Sequence, residues 1–236
     1  MNKWFRLDSP IMMGLSRMAD MVYLSVLWFV CCLPIITIGA STTAMYYVTL
    51  KTAREEDLKI TTAFFQAFKS NFKQATALNL ISLVVGIVLL LDCWIMLGSE
   101  GSMGTLICGA FFAMFIWLLC IMFYAYPLQA QFYNTVKQTL INAAILSMRK
   151  FPVTVVVFVL NMLPILLGFI SLPVVVRTAP VWILLMPGVA ATINGKLFAK
   201  LFDPFLKAAL ISGVAEASRS LRTRLCLCRH FQFASW

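Results

Sequence analysis

The chain has 236 residues, 61% of them hydrophobic and only 12% charged, where a soluble domain carries roughly 25% charged residues. So much apolar side chain, gathered in long unbroken runs, leaves too little polar surface for a water-facing globule and points to a lipid bilayer. The net charge of +10, from 19 Lys and Arg against 9 Asp and Glu, is dealt out between the apolar runs rather than gathered on one face. That excludes a nucleic-acid footprint and fits basic loops beside anionic lipid headgroups.

A helix rises about 1.5 Å per residue and the hydrocarbon core is about 30 Å thick, so a span needs about 20 apolar residues. The first predicted span covers 21–44. Lys3, Arg6 and Arg17 ahead of it resemble the start of a signal peptide, with Gly39-Ala40-Ser41 near a cleavage position. The apolar stretch nevertheless continues past Pro34 and is longer than a signal-peptide core. Inside this span Pro34, Thr37, Gly39, Ser41 and Thr42 form a candidate broken-helix segment. Proline removes a backbone hydrogen bond, small residues allow helices to approach, and hydroxyls satisfy freed carbonyls. Such breaks line substrate sites in some transporters, though tight helix packing at the end of the span is the favoured explanation of the same residues.

The loop that follows carries Phe64, Phe65, Phe68 and Phe72 at helical spacing, with Gln66, Lys69, Ser70 and Lys73 facing away. This predicts an amphipathic helix over 62–75, suited to the headgroup layer or to docking a cytoplasmic partner. The second span is expected at 77–97 and the third at 106–126, joined by a short Gly/Ser connection at 98–104. Asp92 is the only acidic residue within a span, about a turn from its outer end, where a carboxylate reaches headgroup water. A second amphipathic helix is predicted over 132–148, where Phe132, Val136 and Leu140 oppose Asn134, Lys137, Gln138 and Asn142. The fourth span, 153–172, holds Asn161 three residues before Pro164, and the fifth is placed at 181–201 after a connection at 173–180. Asn79, Asn161 and Asn194 are polar groups able to bond helices together. Span, amphipathic segment and span thus occur twice, which hints at a weak internal repeat.

The expected architecture is therefore all-α: a polytopic transmembrane bundle of about five spans with two amphipathic interfacial helices on the cytoplasmic side. Residues 1–207 form the transmembrane domain and 208–236 a basic tail. Orientation follows from the Lys and Arg residues. Lys51, Arg54, Lys59, Lys69, Lys73, Lys137, Arg149, Lys150 and the basic residues from Lys196 onward fall on one side, read as cytoplasmic together with the C-terminus. Lys3, Arg6, Arg17 and Arg177 fall on the other, and the three near the N-terminus pull against that assignment.

Catalytic chemistry finds little support. The single His230 lies in the tail, so an HExxH metalloprotease and an intramembrane Ser-His pair are both excluded. Asp92 has no second intramembrane carboxylate for an aspartyl dyad, and no Walker A motif occurs. Cys226, Cys228 and His230 are one ligand short of a closed zinc site. Cys31, Cys32, Cys93, Cys108 and Cys120 lie in or beside apolar runs, where cysteine is expected to behave as a small hydrophobe. No enzyme activity, metal or cofactor is expected.

Several motifs in order carry a resemblance. The run from Ile36 to Tyr47 (ITIGASTTAMYY), the run from Phe68 to Thr76 (FKSNFKQAT), the stretch from Asn134 to Ala143 and the run from Phe198 to Asp203 are similar to the YesL family of bacterial membrane proteins, whose function is unknown. The resemblance covers about residues 5–205; the chain departs from it beyond Lys207. It implies a multi-pass protein of the bacterial cytoplasmic membrane, accessory to carbohydrate uptake, with ABC-transporter subunits or a second copy of the chain as partners. No catalytic or ligand residues come with it. The competing expectations are a self-contained small-molecule transporter built on the Pro34 break and a membrane scaffold or regulator.

Overall fold

The computed structural model describes residues 10–56, 58–98, 102–132, 134–170 and 185–204. Among these, helix is the only regular structure: α1 (Pro10–Cys32), a 3-10 turn (Ile35–Thr37), α2 (Ile38–Ala53), α3 (Ile60–Leu97), α4 (Ser102–Gln131), α5 (Val136–Arg149), α6 (Phe151–Ile170) and α7 over 185–204. The chain divides into two compact units, Met1–Lys196 and Leu197–Trp236. In the second, Phe198 and Phe202 stack at 5.7 Å. The tail from 208 onward, with Cys226, Cys228 and His230, and the connection at 173–180 lie outside the described residues.

The first expected span is not one helix. Pro34 is extended (φ −77°, ψ 123°), and a proline also drives its preceding residue out of helical geometry, so α1 stops at Cys32. The chain then reverses. Trp28 Nε1 donates to Thr42 Oγ1 at 3.2 Å across the turn, and Arg17 and Asp20 share one cavity with Thr52 and Glu55. The segment read as a single crossing is thus an antiparallel hairpin of two helices, and the beginning of α1 lies beside the α2–α3 linker rather than at the opposite end. Thr37 braces the turn: its hydroxyl is placed against the carbonyls of Cys31 (2.6 Å) and Pro34 (2.7 Å), and its amide also donates to the Pro34 carbonyl at 3.0 Å.

α2 is the buried centre of the first unit. From Gly39 to Leu50 every residue is buried except the half-buried Thr42 and Tyr47. Its Gly, Ala, Ser and Thr side chains let neighbours approach closely. α3 runs back along it. A Cβ on Gly39 would overlap the Ala75 carbonyl oxygen and come within 2.7 Å of Asn79 Cβ. One apolar cluster unites Leu24, Ala44, Met45, Val48, Phe64, Ala67 and Ala191.

The amphipathic segment expected at 62–75 and the span at 77–97 are one uninterrupted 38-residue helix, α3. Its length is about 57 Å. Ala75, Thr76 and Ala77 hold no glycine or proline that would break it, and its first half is fixed against α2. α4 returns antiparallel, with Cys93 meeting Cys108 near the hairpin end and Gly86 meeting Phe115 farther down. At 136–149 the second amphipathic helix is separate, and α5 and α6 meet at 104°. Lys150 leaves helical geometry (φ −114°, ψ 46°), and Pro152 cannot donate the bond that would continue the helix. Thr154 braces the bend through the Ser147 carbonyl at 2.8 Å and the Tyr124 hydroxyl at 2.9 Å. The two halves of the suspected repeat are therefore built differently.

Among the described residues, three helices are long and apolar enough to cross a membrane (within α1, α3 and α4), or four if the bent α5–α6 pair counts as one span. The first expected span is still represented, by α1, and the expected fifth, 181–201, lies partly outside the described residues.

Candidate functional site

The sequence-nominated break contributes to a cavity of about 320 Å³ walled by α1, α2, α4, α6 and the start of α7, the size range of small-molecule sites. Three aromatic side chains with polar tips line it, Trp28, Tyr46 and Tyr126, together with Phe123, Thr42 and Asn161. None of the lining residues is charged. Thr42 accepts from Trp28 and donates to the Ile38 carbonyl at 2.7 Å, so its hydroxyl is held rather than free to rotate. Asn161 turns its amide nitrogen back onto the Val157 carbonyl at 2.7 Å, which orients its oxygen as the remaining acceptor. Pro127 lies inside α4. A helical proline leaves the carbonyl four residues back without its amide partner, here that of Phe123 in the cavity wall.

Behind the wall runs a polar chain. The Tyr126 hydroxyl donates to Asn79 Oδ1 at 3.2 Å, and Asn79 Nδ2 donates to the Ile35 carbonyl at 3.2 Å. Asn194 Nδ2 donates to the Tyr46 hydroxyl at 3.4 Å. The two tyrosines are thereby anchored from outside the cavity, Tyr126 by Asn79 on α3 and Tyr46 by Asn194 on α7. Buried polar groups tied this way fix side-chain position.

Of the proposed break residues, Thr42 reaches this cavity. Pro34 and Thr37 build the turn, and Gly39 and Ser41 are buried in helix contacts, Ser41 with its hydroxyl toward Cys32. Asn161 joins them from α6. Trp28, Tyr46 and Tyr126 were not singled out; their spacing along the chain carries no periodic signal, and they meet only because the hairpin reverses. Asp92 lies far along α3, half-buried, near the end at Leu97.

The expected docking helices fare unevenly. Phe64 is fully buried in the apolar cluster and is core, not docking surface. Phe68 packs partly against the same cluster, whereas Phe65 and Phe72 stay exposed beside exposed Lys69 and Lys73. Gln138 forms a capping box with Thr135 at the start of α5, so its amide serves the helix end; Lys137 is exposed. A ladder of amides and a hydroxyl holds this side together: Thr139 Oγ1 donates to Gln129 Oε1 at 2.9 Å, and Gln129 Nε2 donates to Gln74 Oε1 at 2.5 Å. Nearby, Arg54 Nη1 donates to Gln131 Oε1 at 2.8 Å. Lys51 pairs with Glu56 at 3.3 Å and lies over the Tyr47 ring. The Tyr47 hydroxyl and the Glu56 carboxylate hold the Lys51 ammonium above its ordinary pKa.

Cys93 and Cys108 correct the cysteine expectation. They form a disulfide across the α3–α4 hairpin with their Cα atoms 4.5 Å apart, while Cys31, Cys32 and Cys120 are free thiols. Among the described residues no group of three or more His, Cys, Asp or Glu is gathered for a metal.

Residues 21–93 match a family of proteins of unknown function, DUF624. The matched stretch takes in the second half of α1, all of α2 and α3 as far as Cys93. No curated protein and no solved structure matches the chain.

Proposed function

We propose that the chain is a non-enzymatic, permease-like membrane component linked to carbohydrate uptake, and that the Trp28–Asn161 cavity receives a small uncharged solute rich in hydroxyl groups. One observation carries this reading: aromatic faces and neutral hydrogen-bonding groups line the cavity, without a charged side chain. Flat apolar rings accept the C–H faces of a sugar ring, and fixed amide and hydroxyl groups take its hydroxyls. A charged solute would leave water without a compensating partner. The resemblance to the YesL family points to the same solute class, and ABC-transporter subunits are the partners it implies.

The test is thermal unfolding of the detergent-purified protein with a panel of neutral mono- and disaccharides and their phosphorylated counterparts. A neutral sugar should raise Tm in a concentration-dependent way. The double variant Thr42→Val, Asn161→Leu should remove that response while keeping its own cooperative transition. Equal stabilisation by charged and neutral compounds, or by none, counts against the reading.

A second reading, docking of a cytoplasmic partner, is favoured by the exposed Phe65, Lys69, Phe72 and Lys73 face of α3. Affinity purification from gently solubilised membranes should recover transporter subunits near stoichiometry. Recovery should fall when Phe65 and Phe72 are both changed to Ser. A partner-free protein, under conditions that preserve known complexes, argues against docking.

A further inference from the structure

We propose that the α1–α2 hairpin is re-entrant: it enters the bilayer from the side that carries Arg17, Lys51, Arg54 and Lys59, turns among lipid acyl chains at 33–36, and leaves on the same side. Its two ends lie together, since Arg17 and Asp20 line one cavity with Thr52 and Glu55. Between Asp20 and Lys51 the sequence holds no charged residue. An uncharged run of that length exceeds one crossing and suits a descent and a return.

The depth of the turn follows from where it docks. Asn79 binds the Ile35 carbonyl, and Gly39 packs on Ala75. Beyond Asn79, α3 continues to Leu97, about 27 Å farther and nearly a full hydrocarbon thickness. The tip therefore meets α3 about 9 Å past Lys73, where its long apolar stretch begins, so the turn is shallow and reaches the acyl chains at their near edge.

The chemistry of the tip identifies its surroundings. Leu33, Ile35 and Ile36 are 69%, 65% and 60% exposed. Three large apolar side chains flanking a proline at the point of a hairpin are a poor surface for water, and they continue the exposed apolar band of Leu80, Ile81 and Val84 on α3. The turn's backbone is also supplied from within: Thr37 serves the Cys31 and Pro34 carbonyls, and Asn79 reaches across from another helix to serve Ile35. A turn in water would draw those bonds from solvent. In lipid each must come from the protein.

The proposal is tested in sealed vesicles of both orientations holding the full chain with single added cysteines, R17C, T52C or I36C. These positions are exposed, and Ser16→Cys and Ile35→Cys serve as replacements should a variant fail to insert. A membrane-impermeant maleimide is read at each site by peptide mass mapping, so the native cysteines stay in place. Arg17→Cys and Thr52→Cys should label from one and the same side, and Ile36→Cys from neither. A spin label at position 36 should then collide often with oxygen and rarely with a water-soluble nickel chelate. Labelling of positions 17 and 52 from opposite sides overturns the proposal, as does labelling of position 36 from either side. Protection of position 36 with infrequent oxygen collisions also overturns it, because protein rather than lipid then covers the tip.

Discussion

Gly39 and Gly109 are both helical glycines, but their surroundings differ. A Cβ on Gly39 would collide with the Ala75 carbonyl, whereas a Cβ on Gly109 would meet nothing within 4 Å. Backbone cannot yield as a side chain can, so Gly39→Ala should cost at least about 1–3 kcal/mol, the usual range for overpacking. Gly109→Ala should be neutral or slightly stabilising through helix propensity. Thermal unfolding of the two variants side by side checks this; equal Tm values would show that α2 and α3 are not in contact there. Asn79 makes a comparable case in polar terms. Its replacement by Leu removes one of two donors to the Ile35 carbonyl and the acceptor for Tyr126, and a lost hydrogen bond costs about 0.5–1.5 kcal/mol. A cooperative transition several degrees lower is expected, and an unchanged one would mean that water or lipid headgroups already serve these atoms. Gly39 was legible in the sequence as a small residue fit for close packing. Asn79 was legible only as a polar group in a span, because its partner lies 44 positions away and no local pattern links the two.

At the scale of elements, the helix ends are closed by local hydrogen bonds. α2 closes with the Glu55 amide on the Thr52 carbonyl and the Glu56 amide on the Lys51 carbonyl. This is the Schellman arrangement, whose penultimate residue takes a left-handed conformation that glycine adopts most cheaply. Here Glu55 occupies it at φ 59°. Glu55→Gly should therefore stabilise the protein by about 0.5–1 kcal/mol, the left-handed penalty less the added chain entropy of glycine. A lower Tm would mean that the Glu55 carboxylate does something its backbone strain conceals. Thr135→Ala, by contrast, breaks the capping box of α5 and should cost about 1 kcal/mol. The apolar content of α3 and α4 was readable because 20 apolar residues in a row need no partner to be recognised. The joins were not. Hydropathy reports how greasy a segment is but not whether Pro34 kinks a helix or reverses the chain. Nor does it say that residues 62–76 continue unbroken into the span while Pro152 separates α5 from α6. Phe64 illustrates the cost: its helical spacing with Phe68 and Phe72 described an amphipathic face correctly, but the hairpin covers one edge of that face and leaves the other bare.

Across the whole molecule, reversal of the first segment removes a tension in the charge pattern. Arg17 lies at the end that holds Lys51, Arg54 and Lys59, so a re-entrant hairpin would put these basic residues on one side. The opposite end of α3 and α4 is marked by two independent features. No Lys or Arg occurs between Lys73 and Lys137, and the Cys93–Cys108 disulfide clasps the hairpin close to its loop. Disulfides persist where thiols are not kept reduced, and loops poor in Lys and Arg are those carried across the membrane. Both rules predict that the Cys93–Cys108 end of the hairpin faces the non-cytoplasmic side. The pair should therefore be oxidised in protein prepared without reductant: alkylation under denaturing conditions should modify Cys31, Cys32 and Cys120 at once, and Cys93 and Cys108 only after reduction. In sealed vesicles a membrane-impermeant phosphine should free the pair from the face opposite the one where Lys137 is labelled by an impermeant amine reagent. Release from the Lys137 face would mean that α4 does not carry Cys108 and Lys137 to opposite sides, and its crossing of the membrane would have to be abandoned. Free thiols at both positions in an oxidising preparation would remove the clasp and leave the apolar faces of the two helices to hold the hairpin closed.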